Sequence, residues 1–157
     1  MSTACSTCHI VLAEDNPADV GLVRHALQEH QVECELHVIG DADEVISFIN
    51  DLDSDCTIPR PDLLLLDLHL PKKDGREILK HLRASERCWQ TPVVVLSSSD
   101  APADHRDAQT NAAIHYFRKP CSLEDFLQLG SIVRAVIDHP SADAVAMRDC
   151  TGEPQGI

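Results

Sequence analysis

Aromatic residues are scarce in this chain. Phe, Tyr and Trp make up 3% of its 157 residues, so a core must be filled by Leu, Val, Ile and Ala. No apolar run approaches the roughly 18 residues that a membrane span requires. The N-terminus also lacks the basic start and apolar centre of a secretory signal. The expectation is a cytoplasmic protein with no membrane partner. Basic residues are few as well: 13 Lys and Arg stand against 26 Asp and Glu, for a net charge of -13. A surface of that sign repels phosphodiester backbones, so nucleic acid is excluded as a partner. The cysteines number seven, which is odd, and they are scattered. In a reducing compartment they read as small apolar residues and not as a disulfide framework.

What is present begins with an apparent conflict. Cys5, Cys8 and His9 spell C-x-x-C-H, the attachment pattern of a c-type haem. Covalent haem attachment is usually an export-side process, and no export signal is found here. A Cys5/Cys8 metal site or redox pair is a second sharp reading. The plainer one is preferred: a flexible start over residues 1–8, then His9 at the head of a strand.

The length suits one ordinary domain, large enough to bury roughly 70% of its unfolded surface without staples. Along it, two periods alternate. His9–Ala13 is a short apolar run and reads as a strand. Asn16-Pro17 then reads as a helix cap with proline at the first helical position. Val20, Val23 and Leu27 recur at helical spacing, and Cys34–Ile39 alternates as a second strand. Val45, Phe48, Ile49 and Leu52 mark a second helix, followed by a polar loop over Asp51–Pro61.

Leu63–Leu66 and Val93–Leu96 are continuous apolar runs, the signature of strands buried on both faces. Between them Pro71–Gly75 reads as a turn, and Ile78, Leu79 and Leu82 as a third helix. A weaker Ala-rich helix is expected over Asp100–Asn111 and a fifth strand over Ala113–Phe117. Ser122 and Asp125 form a capping box for a last helix carrying Leu123 to Ile137, stopped by His139-Pro140. Strands alternating with helices imply an α/β fold, a parallel five-stranded sheet covered on both faces. The domain is expected over residues 9–140, with a polar tail at 141–157.

Unusual residues stand where these strands end. Strand one ends in Glu14-Asp15, strand three in Asp67, strand four in Ser97 and strand five near Lys119. In a doubly wound sheet, ligands bind outside the carboxyl ends of the strands. Each residue has an ordinary alternative. An acid pair after a strand is often a helix cap, a lone Asp a turn former, and Lys-Pro a common loop sequence. The conjunction favours a site. Three carboxylates and one ammonium, with oxygen donors and no Cys or His cluster, suit Mg²⁺. Asp67 can then act as a nucleophile toward a phosphoryl group, with Mg²⁺, Lys119 and the Ser97 hydroxyl neutralising the phosphoryl oxygens.

The stretches "VLAEDNPADV", "PDLLLLDLHLPKKDGREIL", "PVVVLSSSD" and "HYFRKP" resemble the receiver domains of two-component response regulators, over about His9 to His139. "EDNPADV" and "DLHLPKKDGREIL" are most similar to stand-alone regulators paired with phytochrome-type histidine kinases. The resemblance implies the flavodoxin-like strand order 2-1-3-4-5, as in the chemotaxis receiver. It makes Asp67 the phosphoacceptor, Asp15 a direct Mg²⁺ ligand, Glu14 a ligand through water, and the His69 backbone carbonyl a further ligand. Ser97 becomes the hydroxyl switch, Tyr116 the rotating aromatic, and Lys119 the counter-ion in a cis Lys119-Pro120 bond.

Two positions depart from the common pattern. Ala112 stands where many receivers have Gly, with Asn111 able to take the left-handed conformation instead. His69 stands where Asn or Met is frequent, and it bears on how long the phosphate lasts.

The implied function is a single-domain response regulator that takes a phosphoryl group from a sensor histidine kinase and passes the signal to a downstream protein target. It is not an enzyme beyond its own phosphorylation and slow autodephosphorylation. With no effector segment following, a homodimer is one expectation, and a monomer bound to a separate target is the other. Three rival readings stand beside it. A haloacid dehalogenase-type aspartate-nucleophile phosphatase needs D-x-D where this chain has "DLH". A flavodoxin-like cofactor domain needs a Ser/Thr/Gly loop where it has "EDNPAD". A degenerate receiver, acting only as an interaction module, would lack the complete site.

Overall fold

The computed structural model describes residues 7–98, 106 and 115–138. Five parallel strands form one sheet in the order β2-β1-β3-β4-β5, as the resemblance implied. They are β1 Cys8–Ala13, β2 Cys34–Ile39, β3 Leu63–Asp67, β4 Val93–Ser97 and β5 His115–Arg118. The helices are α1 Pro17–Glu29, α2 Ala42–Ser54, α3 Gly75–Ala84, α4 Leu123–Leu127 and α5 Leu129–Asp138. The expected Asp100–Asn111 helix lies outside the described residues except at Arg106, and Asn111 and Ala112 also fall outside them.

Strand alternation sorts the core into two layers. Val11, Ala13, Leu64, Leu66, Val93 and Val95 pack against α2 and α3 on one face. Ile10, Leu12, Leu63, Leu65, Val94 and Leu96 pack against α1, α4 and α5 on the other. Successive strand residues point to opposite faces, so an uninterrupted run such as Leu63–Leu66 feeds both layers at once. All residues of β3 and β4 are buried accordingly. Edge strand β2 shows a mixed pattern with exposed Glu35 and His37.

The structure moves two boundaries. α2 runs to Ser54, beyond the start of the expected loop. The reason is tertiary: the Arg87 guanidinium donates to the carbonyls of Leu52 in the last turn and Asp55 at the cap, at 2.7 and 2.9 Å, and ties down Ile58 O in the loop beyond at 2.9 Å. The last helix is two helices, broken at Gln128, whose N–H donates to Asp125 O at 3.2 Å. After the break, α5 lies so close to α1 that a Cβ on Gly130 would collide with the Ala26 carbonyl and the His30 ring.

Candidate functional site

β1 ends in Ala13, and the chain turns at once into α1. Asn16 accepts from Ala18 N–H at 2.9 Å and Pro17 opens the helix, as its sequence requires. The Glu14 N–H donates to Ile39 O at 3.1 Å, extending the sheet ladder one residue. Its side chain accepts from Asn16 N–H at 3.1 Å and is 2% exposed. Asp15, next along, is exposed. From the middle of the sheet, β3 presents Asp67 at 6% exposure. The turn after it returns His69 N–H to Asp67 Oδ1 at 2.9 Å.

Gly75 closes this loop. Its N–H donates to Leu68 O at 3.0 Å, and a Cβ would stand 2.7 Å from Leu68 Cα. The glycine of "KKDG" is therefore needed for close approach to the backbone beside Asp67. Lys72, at φ 77°, takes the left-handed turn position, and its ammonium reaches Asp41 Oδ2 at 3.4 Å.

β5 supplies Lys119. Its N–H donates to Ser97 O at 2.8 Å, and its Nζ lies 2.7 Å from Glu14 Oε2 and 3.0 Å from Asp67 Oδ2. The same Nζ lies 2.8 Å from Asp19 Oδ2. Residues from the ends of β1, β3 and β5 thus meet around one ammonium. The Lys119–Pro120 bond is trans, a correction to the cis bond expected, and no cis peptide occurs among the described residues. Trans is the ordinary preference of an X–Pro bond, by about 0.5–1 kcal/mol.

The charges do not balance. Burial acts to lower the Lys119 pKa, but contacts with Asp19, Glu14 and Asp67 outweigh it and raise it. Burial raises the Glu14 pKa, and the Asp67 charge adds to this, against the pull of Lys119 and Asn16 N–H. One ammonium serves three carboxylates, with Asp15 beside them. Oxygen atoms of Glu14, Asp15 and Asp67 lie within 4.8 Å of one another, an all-oxygen donor set that fits a hard divalent cation.

Ser97 ends β4 next to Asp67 and is fully buried. Tyr116 is half-buried and packs on the layer of α2 and α3. His69 is exposed at the mouth, where Lys72 and Lys73 share the loop. At the position a D-x-D phosphatase gives to its second acid, the residue is histidine, and its backbone N–H serves the first acid. Asp19 was not anticipated. Its signal was present: with Pro17 at the first helical position, Asp19 is third, in the turn facing back over the strand ends.

Of the C-x-x-C-H motif, Cys8 and His9 both lie in β1. Cys8 is half-buried, and burial followed by the charge of Asp62 pushes its thiol up to about 12. Such a thiol is a poor thiolate nucleophile. Cys5 lies outside the described residues. No helix among the described residues is long and apolar enough to cross a membrane.

A family model described as the response regulator receiver domain matches residues 10–130. Response regulator Rcp1 of Synechocystis sp. is 34% identical over 123 residues, 76% of this chain and 82% of that protein. The probable methanogenesis regulatory protein FilR2 of Methanothrix harundinacea is 35% identical over 116 residues, 74% of each chain. The structure of the phosphorylated cyanobacterial phytochrome response regulator RcpA matches with a TM-score of 0.76 at 31% identity, over 87% of this chain and 98% of that one. The Mn²⁺-bound form of Rcp1 matches with a TM-score of 0.72 at 32% identity, over 82% and 92%.

Proposed function

The chain belongs to the response regulator receiver family, and from that premise we propose that it accepts a phosphoryl group on Asp67 from the phosphohistidine of a sensor histidine kinase. The observation that carries this reading is the placement of Lys119 Nζ between Glu14 and Asp67, at 2.7 and 3.0 Å. An Asp67 carboxylate oxygen forms the new bond to phosphorus as the bond to the histidine nitrogen breaks, giving an acyl phosphate.

Asp15, Asp67 and the His69 carbonyl would hold Mg²⁺, with Glu14 contributing through water, and the ion when bound would neutralise charge on the phosphoryl oxygens. Lys119 stabilises one of those oxygens and Ser97 donates its hydroxyl to another. Ser97 and Tyr116 then shift together, biasing an existing equilibrium between two shapes of the face formed by β5, the helix expected before it and the last helix. That face is the surface offered to a downstream protein, in a cytoplasmic pathway with no nucleic-acid contact.

The receiver unit is taken over residues 9–140 with Cys8 joining it as the first residue of β1, a correction to the flexible start expected over 1–8, and 1–7 and 141–157 are left outside it. Similarity to the phytochrome response regulator RcpA favours a phytochrome-type kinase as the donor. The protein acts as a signalling switch whose own chemistry is limited to gaining and slowly losing this phosphoryl group. The test is transfer of labelled phosphate from phytochrome-type kinases, and from a small phosphoramidate, to wild type and Asp67→Asn. Acid-stable, base-labile label is expected on wild type alone. Equal labelling of the variant overturns the assignment.

A further inference from the structure

A second group of metal-ligating side chains lies well away from the acid cluster. His9 in β1 and Glu35 and His37 in β2 share one face of the sheet, because the parallel register sets His9 beside Glu35 and Val11 beside His37. His9 precedes Glu14 by five residues, about 16 Å along a strand at ~3.3 Å per residue.

The three donor atoms converge. His9 Nδ1 lies 3.4 Å from His37 Nε2 and 3.4 Å from Glu35 Oε2, and His37 Nε2 lies 3.8 Å from Glu35 Oε2. Bonds of about 2.0–2.1 Å in a tetrahedral shell separate neighbouring ligand atoms by about 3.3 Å. An octahedral shell of similar bonds would bring them to about 3.0 Å. The observed triangle is nearer the tetrahedral one. A hydrogen bond between the imidazoles accounts for one side and ion pairing of Glu35 with a protonated imidazole for another, whereas one shared cation accounts for all three.

The supports are in place. The His9 N–H donates to Asp62 Oδ2 at 2.9 Å, and Asp62 N–H donates to His9 O at 2.7 Å, so its backbone is held from the β3 side. The imidazole planes lie within 23° of parallel at 5.6 Å between centroids. The His9 side chain is 19% exposed, whereas Glu35 and His37 are open to solvent.

We infer that His9, Glu35 and His37 form a tetrahedral two-histidine, one-carboxylate site for Zn²⁺, or a divalent ion of similar size and softness, with water in the fourth position. Two imidazoles suit such an ion and discriminate against Mg²⁺, which prefers oxygen donors. Bound there, the ion cross-links edge strand β2 to β1 at the end of the sheet remote from Asp67.

The test is calorimetric titration of the full chain with Zn²⁺ under thiol-based reductant-free, inert-gas conditions and saturating Mg²⁺. Wild type is expected to take one equivalent, and Asp15→Ala to take it with unchanged affinity. His37→Ala and Glu35→Gln, both at exposed edge positions, are expected to bind at least tenfold more weakly with unchanged circular dichroism. Co²⁺ in place of Zn²⁺ is expected to give tetrahedral d–d bands without sulfur charge-transfer absorption. Equal Zn²⁺ affinity of wild type and His37→Ala, loss of binding in Asp15→Ala, or a thiolate band with Co²⁺ each overturns the proposal.

Discussion

Asp19 holds the Lys119 ammonium at 2.8 Å, a contact between the first turn of α1 and the end of β5 across 100 residues of chain. The same ammonium is bound to Asp67, so Asp19 competes for the cation that the proposed acyl phosphate requires. Asp19→Asn is expected to free it. A phosphate mimic should bind this variant about fivefold more tightly, equivalent to ~1 kcal/mol. Unchanged or weaker binding in a titration with saturating Mg²⁺ would reject the competition.

Lys119 is the shared partner of three carboxylates, and its side chain is 10% exposed. Lys119→Gln leaves Glu14 and Asp67 buried without their cation. Loss of one partner from a buried ion pair typically costs about 3–5 kcal/mol. Urea unfolding without divalent metal should show a loss of that order, and added Mg²⁺ should recover part of it. A loss under about 1 kcal/mol would mean that water already screens the cluster.

Glu14 makes stability depend on pH in a defined direction. Its folded-state pKa is raised above the ordinary 4.5, first by burial and then by Asp67. Between those two values the folded chain binds more protons than the unfolded one, so its contribution to stability falls as pH rises through that window. Glu14→Gln should lack this fall. Unfolding free energies of both proteins, measured without metal from about pH 4.5 to about 8, should diverge with the wild type losing more. Parallel curves would refute the raised pKa.

Asp15 is exposed and stands within the oxygen triangle. A cation that binds only the folded chain raises the melting temperature by linkage. Asp15→Ala should abolish the Mg²⁺-induced rise while leaving the metal-free melting temperature equal or higher, since a repelling charge is gone. A full Mg²⁺ response in the variant would place the ion elsewhere.

The local sequence determined a good deal. Leu63–Leu66 and Val93–Leu96 are apolar at every position, and both became central strands buried on two faces. Asn16-Pro17 and Ser122 marked helix starts that the structure retains. The acids and the lysine at the strand ends could be picked out because polar residues directly after apolar runs must lie at the rim of the sheet. The strand order came from resemblance to a family, since periodicity tells which face a side chain takes but not which strand lies beside it.

Tertiary structure decided what depends on distant partners. The end of α2 is set by Arg87, more than thirty residues away. The break at Gln128 accompanies the close packing of Gly130 on α1. Asp19 reads locally as an ordinary first-turn acid, favourable to a helix N-terminus, and only the reach of the Lys119 side chain, just after β5, makes it a partner of that lysine. His9 and His37 look unrelated along the chain, yet the β1–β2 register sets them on one face with their nitrogens 3.4 Å apart. Hydrophobic period and capping are short-range, written within a few residues. Register and crossover bring together residues far apart in sequence, and those meetings exist only once the sheet has closed its ladder of backbone hydrogen bonds.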